Sequence, residues 1–137
     1  MSEPLDRPAA ARERFRFDFE RALARVAAPL FARAVEQAGA HGLVARRVTG
    51  LDAAAVPYLG LCLGAEEEVS DGYWIKADVA RQRVSHERRV RAGVASRRVE
   101  SDLASINETL VNTEVAALFM ASAGLRVDLL SGHKIGF

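Results

Sequence analysis

The residues with the capacity for chemistry are few. His41, His86 and His133 are the three histidines. None has a second His, Cys or carboxylate at metal-binding spacing, and His86 and Glu87, adjacent on a strand, would point to opposite faces. The one cysteine, Cys62, sits in Leu61-Cys62-Leu63. A thiol there behaves as a small hydrophobe, since a nucleophile needs a neighbouring base and electropositive surroundings. Gly60 and Gly64 lack the additional glycines and the Lys-Ser/Thr of a phosphate loop, and acidic residues follow them. The expectation is a chain with no catalytic residue, no metal site and no cofactor.

Clustered charge is the stronger signal. Glu66, Glu67, Glu68 and Asp71 form an acidic run without the alternating ligand spacing of a calcium loop. It reads as a solvated loop or as an acidic patch for a partner. Trp74, the only tryptophan, follows closely, either as a core anchor or as an interface residue, a role in which Trp is enriched. From Arg81 to Arg98 seven arginines are opposed by Glu87 alone. Arg83, Arg89 and Arg91 would share one face of a strand over 83–91 and could track phosphates. No aromatic residue for base stacking is interleaved in that stretch. The competing reading is a solvent-facing guard that pairs with the acidic loop.

The elements that must position these groups follow from periodicity. Phe15, Phe19, Ala22, Leu23, Val26 and Leu30 recur at steps of three and four, one apolar face of a helix. Pro8 suits a first turn capped by Asp6. Pro29 predicts a kink or break near Val26–Ala28, then a second helix to about Ala38 ended by Gly39 or Gly42. Leu43–Thr49 reads as a short strand and Leu51–Val56 as a loop or single turn. Pro57–Gly64 alternates, with Leu59, Leu61 and Leu63 on one face and Tyr58, Gly60 and Cys62 on the other. Tyr73–Ala77 is a strand, Asp78–Gln82 a turn, and Arg83–Arg91 the return strand. The spacing leaves 92–104 open. The final helix begins at Ile106 through a Ser105-Ile106-Asn107-Glu108 capping box, or at Asn112 or Thr113 after a strand over Ala104–Val111. Leu125–Leu130 alternates as an edge strand, and Ser131–Phe137 reads as a loose tail.

A chain of 137 residues, 50% hydrophobic and 27% charged, is expected to fold as one domain spanning 1–137 and is not a disordered composition. A single cysteine excludes a disulfide scaffold. The longest uncharged stretch, Ala53–Ala65, is thirteen residues, short of the roughly 20 a membrane span needs. The first sixteen residues carry no apolar secretory segment. These features predict a cytoplasmic protein with no membrane partner. A formal net charge of +1 leaves room for a homo-oligomer.

Two stretches carry a family resemblance. Tyr73-Trp74-Ile75-Lys76-Ala77-Asp78-Val79-Ala80-Arg81-Gln82-Arg83-Val84 resembles the aromatic strand, Asp-started turn and Val-started return strand of the SUKH superfamily of bacterial toxin-immunity proteins. Leu110-Val111-Asn112-Thr113-Glu114-Val115-Ala116-Ala117-Leu118 is similar to the segment by which that family enters a helix, with Glu114 in place of a small hydroxyl residue. The resemblance spans about Tyr73–Ala123. It implies an α+β fold, no catalysis, and binding to a cognate toxin, often a nuclease or deaminase.

The combined expectation is an α+β fold, an antiparallel sheet of four or five strands packed by N-terminal helices and a C-terminal helix. Its function would be non-enzymatic protein binding, as an immunity protein that blocks a toxin through Glu66, Glu67, Glu68, Asp71 and Trp74. The alternative is nucleic-acid binding through Arg83, Arg89 and Arg91.

Overall fold

The computed structural model describes residues 3–64, 71–91 and 96–130. Helix α1 (Glu3–Ala22) and helix α2 (Ala28–Ala40) are joined without a break by a π turn over Leu23–Ala27. Five strands follow: β1 (Ala45–Leu51), β2 (Pro57–Leu63), β3 (Asp71–Asp78), β4 (Arg83–Arg89) and β5 (Arg97–Ser101). A 3₁₀ turn (Leu103–Ser105) leads to helix α3 (Glu108–Ala123). The strands pair antiparallel in the order β1-β2-β3-β4-β5, a pure meander. The expected α+β architecture is the one observed, with five strands. No helix among the described residues is long and apolar enough to cross a membrane.

Pro29 does not break the helix. It lies at the start of α2, and the wider turn before it takes up the proline: the Ala28 N–H reaches back five residues to the Leu23 carbonyl. A π bulge thus does locally what a kink would otherwise do. Pro8 lies inside α1, not in its first turn, because the helix begins earlier than Asp6. At the other end of α2, Gly42 adopts a positive φ of 77°, and the Leu43 N–H closes on the Ala38 carbonyl at 2.8 Å.

Alternation divides the sheet into two faces. Leu59, Leu61, Leu63, Tyr73, Ile75, Val84 and His86 point one way. The first six of these join the helical side chains Phe15, Phe19, Leu30, Phe31, Val111, Val115, Leu118 and Phe119 in one core. Phe31 meets Tyr73 edge-on, with ring centroids 5.6 Å apart. The opposite face carries Arg46, Val48, Tyr58, Gly60, Cys62, Gly72, Trp74, Lys76, Ser85, Glu87 and Arg89, none of which belongs to that core. This second face is the open one: its residues stand outside the core cluster, with Tyr58 at its margin lining a depression beside Leu23, Ala24 and Ala28.

Two boundaries differ from the sequence pattern for identifiable reasons. Helix α3 is capped by Asn107, whose side-chain oxygen accepts the Leu110 N–H at 2.8 Å. Ser105 does not cap it, because its hydroxyl is engaged by His86 and donates to the Asp102 carbonyl. Leu125–Leu130 forms no strand. Val127 and Leu129 plug the core, and the backbone around Leu129 is satisfied by side chains instead of a neighbouring strand. Asn112 accepts its N–H at 2.7 Å and Arg33 donates to its carbonyl at 3.1 Å.

Candidate functional site

The open sheet face is built around one side chain. Trp74 lies flat across two glycines, Gly60 on β2 and Gly72 two residues before it on β3. A Cβ added at Gly60 would sit 2.4 Å from the indole Cδ1, and one at Gly72 would sit 2.6 Å from Cη2. Only glycine leaves room for the ring to rest on the backbone, an arrangement known to stabilise sheets at glycine positions. The Arg89 guanidinium covers the outer surface of the ring at 4.4 Å from its centroid. Tyr58 repeats the arrangement on β2: its ring lies over Gly50, where a Cβ would meet the hydroxyl at 2.6 Å. Lys76 approaches the Tyr58 ring at 6.0 Å.

Gly60→Ala tests this seating directly. The added methyl must lift the indole off the sheet, so the tryptophan emission is expected to move to longer wavelength as the ring enters water. An emission identical to the parent protein would show that the ring does not rest on Gly60.

The charges on this face are mixed. Lys76 pairs with Glu87 at 2.9 Å, and Arg98 and Arg81 both reach Glu100, at 3.4 and 3.2 Å. The Arg81 hydrogen bond and charge hold the Glu100 carboxyl below its ordinary value. A depression of about 150 Å³ is lined by Lys76, Asp78, Arg83, Ser85, Arg98 and Glu100, among others. Arg46 and Arg89, like Arg83, have no carboxylate within ion-pairing distance among the described residues. Burial raises the Cys62 thiol above its ordinary value, and these same two arginines pull it back down.

The expected site residues are thus distributed unequally. Glu66, Glu67 and Glu68 lie outside the described residues. Asp71 stands on the core side of the sheet, opposite Trp74, and both its oxygens are engaged. One accepts the Arg91 N–H at 2.6 Å and the other the Ser122 hydroxyl. It ties β3 to α3 and to the end of β4. Arg83 and Arg89 do share the open face, while Arg91 lies past the end of β4 and is exposed in a turn. The sequence pattern missed Gly50, Gly60, Gly72, Tyr58 and Arg46 as parts of this surface. The signal was present in the alternation Tyr58, Gly60, Cys62 beside an aromatic strand.

His86 occupies the other face. It bridges Tyr73 and Ser105 in a buried chain: the Tyr73 hydroxyl is 2.7 Å from Nδ1, and Nε2 is 2.8 Å from the Ser105 hydroxyl. Ser105 donates onward to the Asp102 carbonyl, so Nε2 carries the proton and Nδ1 accepts from Tyr73. Burial lowers the His86 pKa to about 4 and raises that of Tyr73 well above its ordinary range. The serine proton is thus directed away from the imidazole, the opposite of an activated nucleophile. Among the described residues, no three His, Cys, Asp or Glu side chains converge to hold a metal ion.

No family model, curated protein or solved structure matches the chain. The open face must therefore be read from its own chemistry.

Proposed function

We propose that this chain is a non-enzymatic binding domain that docks another protein on the open face of its sheet. In keeping with its resemblance to the SUKH superfamily, we propose that the docked protein is a toxin whose active surface it covers. The Trp74–Arg89 platform carries this reading. Its indole is immobilised from below by Gly60 and Gly72 and from above by an exposed guanidinium. Such a ring loses little freedom when covered, and Trp, Tyr and Arg dominate the energetics of protein interfaces. The mixed signs around it suit a protein, which can match both. A phosphate polymer would meet Glu87 and Glu100 on the same face. The acidic residues Glu66, Glu67 and Glu68, which follow β2 in the chain, would add attraction toward a basic cleft.

Sequencing the neighbouring genes for a toxin domain, and co-expression with any found there followed by an affinity measurement, tests this. The pair is expected to co-purify, and Trp74→Ala to weaken binding by at least about 30-fold, the scale of an interface hot spot of roughly 2 kcal/mol. An affinity unmoved by Trp74→Ala overturns the use of this face. A toxin left fully active by the bound chain overturns the immunity role.

A second reading, nucleic-acid binding, is favoured by one observation. The aromatic residues missing from the arginine-rich segment itself are supplied to the same face by neighbouring strands, as Trp74 and Tyr58 beside Arg83 and Arg89. Retention of a single-stranded oligonucleotide that falls steeply between about 50 and 200 mM salt would select it over the protein partner.

A further inference from the structure

Among the described residues the sheet ends in two unpaired edges, β1 and β5. Strand β5 is five residues long and carries Arg97, Arg98 and Glu100 around a single apolar residue, a defended edge. Strand β1 is seven residues long. Its ladder with β2 decides which groups face outward. The Gly64 N–H donates to the Val44 carbonyl at 2.8 Å and the Asp52 N–H to the Val56 carbonyl at 3.0 Å, so the even-numbered residues of β1 bond inward. The N–H and C=O groups of Ala45, Arg47, Thr49 and Leu51 therefore point away from the sheet. The side chains of these four share a face with Leu59, Leu61 and Leu63, the helical side. The helices do not close over them: Arg47, Thr49 and Leu51 are exposed, Leu51 at 65%. Beside Thr49 a depression of about 240 Å³ runs to Glu20, Leu23, Ala24 and Ala28 on the joined helices.

A second copy of β1, antiparallel and centred on Val48, answers each of these features. Arg47 of each copy then faces Thr49 of the other, Leu51 faces Ala45, and Val48 meets Val48. Arg47 has no carboxylate within ion-pairing distance in its own chain among the described residues. Across the edge it stands beside the depression that Thr49 lines, whose wall carries Glu20. One Glu20 oxygen holds Arg16 at 3.0 Å, and the other takes no bond among the described residues. Leu51 comes to rest on Ala45 and beside Leu43, two partly buried residues packed on the core. Shifting the centre to Arg47 sets that arginine against its own copy, and shifting it to Thr49 sets Leu51 against Arg47 instead of Ala45. We propose that β1 is the two-fold interface of a homodimer, joined edge to edge, with Glu20 of each copy accepting Arg47 of the other. A second copy is favoured over a foreign strand because one sequence supplies both members of the charge pair and both sides of the apolar contact. The interface stands apart from the docking reading above and leaves the Trp74 face open.

Sedimentation equilibrium of the full chain, from micromolar to near-millimolar concentration, tests this. The parent protein is expected to reach twice its 14.9 kDa mass. Arg47→Glu sets two carboxylates together at each end of the interface and is expected to weaken the dimer at least about tenfold. Adding Glu20→Arg to it exchanges the signs and is expected to recover most of that loss. Thr49→Pro deletes an outward N–H without touching the β1–β2 ladder, and is expected to give a monomer whose far-ultraviolet circular dichroism matches the parent. If Thr49→Pro misfolds, the exposed pair of Arg47 and Glu20 still decides. A mass of one chain at every concentration, or a dimer that Arg47→Glu leaves as tight as the parent, overturns the interface. A charge exchange that recovers nothing overturns the pairing of Arg47 with Glu20. In a chain that stays monomeric, hydrogen exchange at the Arg47 and Thr49 amides reassigns the edge. Slow exchange would give it to a segment of this same chain, and fast exchange would leave it to a strand of another protein.

Discussion

Glu114→Gln is expected to destabilise the fold by about 3–5 kcal/mol, the largest single loss available outside the apolar core. Glu114 on α3 accepts from the Arg88 guanidinium on β4, and the two side chains are only 12% and 11% exposed. Removing the carboxylate charge leaves a guanidinium without its counterion in a nearly dry layer, one of whose nitrogens, Nε, is already unpartnered. The loss is the cost of an uncompensated buried charge, not the net worth of the pair. The double variant Arg88→Met with Glu114→Leu is therefore expected to recover most of the stability. Urea denaturation of the three proteins measures both effects. A Glu114→Gln midpoint equal to that of the parent would show that the pair is solvated, and a double variant as weak as the single would show that the pair itself contributes stability.

The second large effect is a loss of stability in mild acid. His86 is buried and neutral, with its pKa lowered from 6.5 to about 4. The unfolded chain therefore takes up a proton below about pH 6.5 that the folded chain refuses until about pH 4. The stabilisation is complete above pH 6.5, declines as pH falls through that window, and stops declining near pH 4. The expected loss is about 2 kcal/mol by pH 5 and approaches about 3 kcal/mol at pH 4. The geometry shows why the proton is refused. A proton on Nδ1 would face the Tyr73 hydroxyl, which would lose its own acceptor. Urea midpoints at pH 7.5, 6 and 5 follow the decline, with His86→Gln as the control, whose curve is expected to be much flatter over the same interval. A parent protein with equal midpoints at pH 7.5 and 5 would show that His86 is protonated in the fold or not buried there.

Local pattern revealed the sheet better than its ends. Strand β2 was legible because Leu59, Leu61 and Leu63 alternate with small residues, and the β3–β4 hairpin because Asp78 opens its turn, accepting the Arg81 N–H at 3.1 Å. Strand β5 was not legible, because Arg97-Arg98-Val99-Glu100-Ser101 has one apolar residue and borrows its conformation from β4. The start of α3 was displaced because Ser105, a good cap by type, is engaged by a histidine nineteen residues earlier. The segment 125–130 alternates because two side chains enter the core, a pattern that a plug and a strand share. Of the candidate surface, Trp74 and Arg89 were visible as residues, but their meeting was not. It depends on register, which places Gly72 opposite Arg89 and Gly60 opposite Trp74.

The meander has a bearing on how the chain reaches this state. Each strand's hydrogen-bonding neighbour is also its neighbour in sequence, so the ribbon assembles by short hairpin closures with little entropy lost to long loops. Distant joining falls to the helical layer: the Phe31 ring must find Tyr73, and Arg33 must find a carbonyl 96 residues away. The platform surface is therefore expected to be outlined early in folding, by the ribbon, ahead of the helical layer that fixes the ribbon from behind.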